Sequence, residues 1–249
     1  MTNRNLARVV AAEALGSALL LVAIVGSGIA AQRLSPGNTG LQLFENAAAT
    51  AAALVAIILA VGPVSGAHLN PVVTLADRIF GALSNAEAAA YLFAQALGAA
   101  LGVIVANRMF SLPAIELSTT SRSSGGMWLG EVVATFGLVL VIFAVARSGR
   151  ASLAPFAVGS YIGAAYFFTS STSFANPAVT AARTLSDTFA GIAPASVPAF
   201  VVAQLVGAGV AVATVRFLYP GVEQAADDVV IPHETGQTVP EAEVTAWRS

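Results

Sequence analysis

Six long apolar runs, almost free of charge, determine most of what this chain can fold into. They cover about residues 8–31, 44–64, 88–110, 127–147, 152–170 and 195–219. Each run is close to the roughly 20 residues that a helix needs to cross the hydrocarbon core of a bilayer. Of the 249 residues only 10 % are charged and 57 % are hydrophobic, whereas a soluble domain carries about 25 % charge. The sequence therefore predicts an all-α, multi-pass membrane protein.

The composition also excludes several classes of protein. The chain has no cysteine, so a disulfide scaffold, a thiolate nucleophile and a thiolate metal site are ruled out. Its eleven basic residues are arginines spread singly along a chain of net charge −2, unlike the basic patch of a nucleic-acid-binding protein. The two histidines, His68 and His233, supply neither a metal-ligand set nor a Ser-His-Asp set. We therefore expect no enzyme activity, no metal and no cofactor.

The placement of the arginines indicates an orientation. If both termini are cytoplasmic, seven arginines lie inside and four, Arg33, Arg108, Arg122 and Arg183, lie outside. The excess of positive charge inside favours this orientation in the plasma or inner membrane. Residues 220–249 hold six acidic residues and no apolar periodicity, so we expect a solvated, disordered cytoplasmic tail.

Two apolar pieces, residues 69–80 and 174–185, are too short to span a bilayer. Each contains an Asn-Pro pair near its start, and proline suits the first turn of a helix because the N–H it lacks has no partner there. These pieces predict two half-helices that enter the membrane from loops. Because irregular backbone at membrane depth must be surrounded by protein or by a water-filled cavity, we expect both half-helices inside the protein.

The two halves of the chain repeat one another. Residues 70–74, Asn-Pro-Val-Val-Thr, match residues 176–180, Asn-Pro-Ala-Val-Thr, at an offset of 106. Glu13 matches Glu131 at an offset of 118, and the pattern Ala-Gln-x-x-Gly-Ala, which begins at Ala94, recurs at an offset of 109. Three spans and one half-helix therefore occur twice.

This repeat predicts how the chain is organised. We expect one membrane domain over residues 1–219, with one repeat at about 5–110 and the other at about 125–219. Since three spans is an odd number, the second copy enters the membrane from the opposite side. Inverted repeats of this kind place their broken helices near the middle of the membrane.

These motifs resemble those of the aquaporin, or major intrinsic protein, family. The resemblance rests on Ser-Gly-Ala-His-Leu-Asn-Pro-Val-Val-Thr at 65–74 and on Phe-Ala-Asn-Pro-Ala at 174–178, and it covers about residues 5–219. It implies six spans with two half-helices, a passive channel for water and small uncharged solutes, and a homotetramer in the lipid bilayer. The pore motifs that it implies are Asn70, Pro71 and Val72, and Asn176, Pro177 and Ala178.

The two motif asparagines are the central candidates for the pore. A helix N-terminus carries about half a positive charge and unpaired N–H groups. Two facing half-helices would therefore repel cations halfway across the membrane. Asn70 and Asn176 can donate N–H groups to the oxygen of a passing solute, and they can also cap the helices that follow them. We expect both roles.

Two buried acids and one histidine complete the predicted centre. Glu13 and Glu131 lie within apolar spans, where a charge is costly and usually functional. The resemblance implies that they hold the two re-entrant loops, and a proton relay is the alternative. It also implies that His68 faces the pore on the cytoplasmic side. Gly66 and Ala67 are pore-lining candidates beside it, and the alternative for His68 is a buried ring satisfied by hydrogen bonds.

The sequence departs from the family pattern at the constriction. Most members have an arginine three residues after the second motif asparagine, where this chain has Val179. Ungapped spacing from the motifs places Thr50, Ala164 and Ser173 at the other three positions of the selectivity filter, with Gly163 as the fallback for Ala164. These residues are small and neutral.

Two larger side chains lie near this constriction. Phe174 occupies a place where the family usually has a small residue, and we consider it a pore-lining candidate. Arg183 follows Val179 by four residues, which puts both on one helix face. It could therefore supply charge at the outer mouth, or it could pair with Asp187 one turn further on.

The small, neutral constriction predicts a wide, weakly polar pore. Its solutes would be water, polyols, urea-like amides and neutral metalloid hydroxides such as arsenous acid. The alternatives are a water-selective channel, a purely structural membrane protein, and a secondary active transporter, since transporters also use inverted repeats with broken helices. A transporter would need carboxylates that face the cavity, whereas Glu13 and Glu131 both have structural explanations.

Overall fold

The computed structural model describes residues 5–220, which form helices connected by loops, without a β-strand in that range. The α-helices are α1 Leu6–Leu34, α2 Thr39–Ser65, α3 Pro71–Phe80, α4 Asn85–Met109, α5 Gly125–Arg147, α6 Ala154–Phe168, α7 Pro177–Ala182 and α8 Val197–Leu218. Within residues 5–220, six helical segments are long and apolar enough to cross a membrane, and they correspond to the six predicted runs. The predicted all-α membrane fold is confirmed.

The two short helices begin at the Asn-Pro pairs. The Asn70 side chain accepts a hydrogen bond from the backbone N–H of Val72 at 3.1 Å, and that of Asn176 accepts one from Ala178 at 3.0 Å. A proline follows each asparagine at the first helical position. The capping oxygen of the asparagine and the fixed φ angle of the proline therefore determine where α3 and α7 start.

The spans pack in two corresponding pairs, α1 with α4 and α5 with α8. Glycines make the approach close: a Cβ on Gly98 or Gly102 of α4 would lie 2.1 Å or 2.2 Å from a carbonyl oxygen of α1. In the other pair, a Cβ on Gly207 of α8 would lie 2.4 Å from the carbonyl oxygen of Val132 in α5. Small residues let helices in lipid gain contact area that the hydrophobic effect does not provide there.

The half-helices α3 and α7 lie inside the ring of spans, and their starts meet. The asparagines that cap them are buried, and α3 contacts α4, α5, α7 and α8. The predicted tail falls outside the described residues from position 221 onwards. The fold therefore brings together, inside the protein, the two loops that lead into α3 and α7.

Candidate functional site

The two motif asparagines cross-link the loops on which they lie. The side-chain amide of Asn70 donates to the carbonyl oxygen of Ala175 at 2.8 Å, and that of Asn176 donates to the carbonyl oxygen of Leu69 at 2.8 Å. An amide nitrogen carries two N–H groups, so each asparagine keeps a second donor. Both residues line the central cavity, where that donor can meet a solute oxygen.

The loop backbone is held in a rare conformation on both sides. Ala67 and Leu69 have φ of +48° and +51°, and Ser173 and Ala175, each 106 positions later, have φ of +52° and +49°. Residues other than glycine seldom adopt this region, and each such residue costs of order 1–3 kcal/mol unless its surroundings impose it. The repeat therefore extends to the backbone conformation of the loops.

Glu13 and Glu131 bind these strained loops. The carboxylate of Glu13 accepts from the backbone N–H of His68 at 3.0 Å and of Leu69 at 2.8 Å. That of Glu131 accepts from Phe174 and Ala175, both at 2.9 Å. Both acids are fully buried. Their hydrogen-bond donors are peptide N–H groups, glutamine amides and the Ser65 hydroxyl rather than a chain of titratable side chains, which favours a holding role over a proton relay.

One glutamine extends the contacts of each glutamate, a role that was not predicted from the sequence. Gln95 donates to Glu13 at 2.8 Å and to the Thr74 hydroxyl at 2.9 Å. Gln204 donates to Glu131 at 2.6 Å and to the Thr180 hydroxyl at 2.8 Å. The signal was present in the repeated Ala-Gln pair, because a polar residue at the same place in two apolar spans must find a buried partner.

His68 is buried, lines the cavity and has polar neighbours on α3. Its Nδ1 lies 3.1 Å from the Thr74 hydroxyl, and its Nε2 lies 3.5 Å from a carboxylate oxygen of Asp77. Its ring centroid is 4.9 Å from that of Tyr91. The pore-facing and hydrogen-bonded interpretations of His68 are thus compatible in this structure.

The other motif residues divide between the cavity wall and the layer behind it. Ala67 lines the cavity, whereas Gly66 ends α2 with φ of +87° and is not among the cavity-lining residues. Val72 and Ala178 are buried behind the asparagines, and Pro71 and Pro177 are half-buried helix starts. Val73 and Val179, each three residues after its asparagine, face the cavity at corresponding positions.

Three of the four predicted constriction residues share the cavity wall. Thr50, Ser173 and Val179 all line it, and all are nearly inaccessible from outside the protein. Tyr166, which was not predicted from the sequence, lines it as well, and its hydroxyl donates to that of Thr50 at 3.3 Å. The wall is therefore bulkier and more polar here than the four predicted residues imply.

The placement of Ala164 at the constriction is wrong. Ala164 is exposed on the outer face of α6, and a Cβ on the fallback Gly163 would point at the Cβ of Ala51 in α2, 3.0 Å away. The cavity face of α6 carries Val158, Ile162 and Tyr166 instead. The four-residue spacing of these three marks one helix face, so counting back from Asn176 without a gap put the register two residues out.

Phe174 and Arg183 both line the cavity and touch each other. The guanidinium carbon of Arg183 lies 3.5 Å from the centroid of the Phe174 ring. The alternative ion pair between Arg183 and Asp187 is not found among the described residues. The Asp187 carboxylate accepts instead from the backbone N–H and the hydroxyl of Thr119. The structure therefore places Arg183 at the cavity rather than on a helix-surface ion pair.

Known proteins match this chain in sequence and in fold. The model of the family described as major intrinsic protein matches residues 1–175. Aquaglyceroporin AqpS of Rhizobium meliloti (strain 1021) is 47 % identical over 218 residues, which cover 88 % of this chain and 93 % of that protein. Aquaporin TIP1-2 of Zea mays is 31 % identical over 173 residues, covering 66 % of this chain and 68 % of that one. The aquaglyceroporin structure from Plasmodium falciparum has the same fold, with a TM-score of 0.64 and 21 % identity over 88 % of this chain and 100 % of that one.

Proposed function

Because the chain belongs to the major intrinsic protein family, we propose that it is a passive channel whose constriction admits uncharged solutes larger than water. Family membership makes it a multi-pass membrane channel for water and small solutes rather than an enzyme. The solutes that we propose are polyols, urea-like amides and neutral metalloid hydroxides such as arsenous acid.

Val179 is the observation that carries this proposal. It lines the cavity three residues after Asn176, and it offers a permeating molecule neither charge nor hydrogen-bond donor. Valine is also several atoms smaller than the arginine that most family members have there. The relative at 47 % identity is an aquaglyceroporin, which supports the same solute class.

The contacts around the cavity support a channel over a coupled transporter. A transporter needs carboxylates that bind the coupling ion, and no acidic residue is among the described residues that line the cavity. Glu13 and Glu131 are taken up by peptide N–H groups and by Gln95 and Gln204. A water-selective channel is the remaining alternative, and Tyr166 at the constriction is the feature that favours it.

We assign the site as follows. Asn70 and Asn176 orient the solute, Glu13 and Glu131 hold the loops, and Thr50, Ser173 and Val179 form the filter with Tyr166 in place of Ala164. The arginine distribution supports cytoplasmic termini in the plasma or inner membrane, with residues 220–249 as a cytoplasmic tail. The homotetramer is carried over from the family resemblance.

Solute flux into reconstituted vesicles tests the proposal. We expect water, glycerol and urea to enter faster than in empty vesicles, with a rate that rises linearly with concentration and depends weakly on temperature. Stopped-flow light scattering measures each rate. Saturable uptake driven by an ion gradient would indicate a transporter, and water flux without glycerol or urea flux would indicate the water-selective alternative. Arsenous acid uptake by cells no faster than in empty-vector controls would remove metalloid hydroxides from the solute class.

Mercury sensitivity maps the constriction independently, since the native chain has no thiol. We expect mercuric chloride to leave native water flux unchanged. It should block the Val179→Cys variant, because a thiolate at the cavity wall binds the metal in the solute path. Ala164→Cys, on the outer face of α6, is the matched control, and its water flux should stay resistant to mercuric chloride. Block of the Ala164→Cys channel, or of the native one, would contradict the placement of the constriction.

A further inference from the structure

Arg183 is a buried cation on the cavity wall, and in the described part of the chain no carboxylate lies within 4.0 Å of its guanidinium. It is 2 % exposed, follows α7, and lines the same cavity as Val179. Its Nε donates to the carbonyl oxygen of Ala190, and among the described residues no acceptor is found for its two terminal nitrogens. A charge inside a membrane protein is affordable where it faces water, so these nitrogens point to the solute path.

The ring of Phe174 fixes this guanidinium. It lies 3.5 Å below the Arg183 guanidinium carbon and packs edge-on against Phe200 at a centroid distance of 5.2 Å. A guanidinium stacks well on an aromatic face because the face carries partial negative charge. A phenyl ring anchored in this way gives Arg183 a defined position rather than a range of rotamers.

A second arginine reinforces the same arrangement. Arg122 also lies over the Phe174 ring, 5.1 Å from its centroid, and donates to the carbonyl oxygens of Phe189 and Gly191 at 3.3 Å and 2.9 Å. The carbonyl between these two, that of Ala190, is the acceptor for Arg183. Three successive carbonyls thus hold two guanidinium groups, of which only that of Arg183 is among the described cavity-lining residues.

We propose that Arg183, docked on Phe174, supplies the positive charge at the constriction that Val179 does not. The proposal rests on the channel function proposed above and adds the residue that determines its charge selectivity. It joins two departures from the family pattern, the bulky Phe174 and the uncharged Val179, into one arrangement. Size selection and charge selection then lie on different residues.

The consequence is a wide channel that still rejects cations. A fixed positive charge on the wall of an enclosed cavity raises the energy of a passing cation and leaves a neutral solute almost unaffected. The terminal N–H groups of Arg183 also offer donors to hydroxyl or carbonyl oxygens of a solute. Without Arg183 no arginine would remain on the described cavity wall, and that wall would oppose sodium ions less.

Sodium flux tests the assignment. Native protein and an Arg183→Gln variant are reconstituted into vesicles with an inside-negative potential, and sodium entry is normalised to the water permeability of the same vesicles. We expect native vesicles to be as sodium-tight as empty ones and the variant to leak about tenfold faster or more, as expected for a barrier lowered by about 1.4 kcal/mol. Arg33→Gln is the matched control: Arg33 also stacks on a phenyl ring, that of Phe110, and donates to a carbonyl, but it is exposed. It should remain sodium-tight.

A rescue variant separates lost charge from lost structure. Adding Val179→Arg to Arg183→Gln returns a guanidinium to the cavity and should restore sodium exclusion. A leak that persists in this double variant would overturn the proposal, as would a tight Arg183→Gln channel that still passes water. If the Arg183→Gln variant passes no water, the Phe174→Leu variant is measured instead. It keeps Arg183 but removes the aromatic ring on which the guanidinium stacks. A Phe174→Leu channel that conducts water and stays sodium-tight would overturn the proposal. Native vesicles that pass neither water nor glycerol would instead overturn the proposed function.

Discussion

Glycerol permeability is expected to fall at least tenfold in the Val179→Arg variant, while water permeability falls by much less. The new side chain extends into a cavity that Thr50, Tyr166 and Arg183 already narrow. A polyol must lose most of its hydration to pass such a constriction, and an added barrier of about 1.4 kcal/mol is enough for a tenfold lower rate. A single file of water needs less width. Stopped-flow measurements of both solutes on the same vesicles give the ratio directly.

The control for this variant is Val179→Leu, which adds bulk without charge. We expect it to lower glycerol flux modestly and to leave water flux near the native level. Val179→Arg vesicles that pass glycerol at the native rate would show that the narrowest point of the cavity lies elsewhere. If the native channel already rejects glycerol, neither variant can lower glycerol flux further, and the water-selective alternative is then favoured.

The spans and half-helices were predictable because their causes are local. Length in apolar residues sets a span, and an Asn-Pro pair sets the first turn of a half-helix. The buried glutamates were predictable as well, since a carboxylate in lipid requires partners. Their partners were only half visible: Gln95 and Gln204 appeared as a repeated pattern, but which groups they bind depends on how distant helices pack.

The constriction was harder to predict because it depends on register across loops. Ala164 and Tyr166 differ by two positions on α6, which is enough to turn a side chain from the cavity to the outer face. Local spacing also left Arg183 equally close to Val179 and to Asp187. What separates these options is a contact between Asp187 and Thr119, 68 positions apart, which no helical periodicity encodes.

Glu131→Ala is expected to lose most of its water flux and to unfold at a lower temperature than the native protein in detergent. The substitution leaves the N–H groups of Phe174 and Ala175 without their acceptor at a site closed to water, and it leaves the amide of Gln204 with the Thr180 hydroxyl alone. Each buried donor left unpaired costs about 1–3 kcal/mol, and Ala175 also needs external support for its left-handed backbone.

The size of the effect follows from what this loop carries. Asn176 comes directly after Ala175, so a loop that relaxes also moves the side chain that crosses to Leu69. A loss of about 3 kcal/mol corresponds to roughly 6–12 °C in melting temperature for a chain of this size, which thermal unfolding in detergent resolves. Glu131→Gln keeps one acceptor oxygen, so its melting temperature and water flux should lie between those of the native protein and of Glu131→Ala. Glu116→Ala, at an exposed position, is the matched control and should behave as native. A Glu131→Ala protein with native melting temperature and native flux would mean that loop packing, not this carboxylate, holds Asn176 in place.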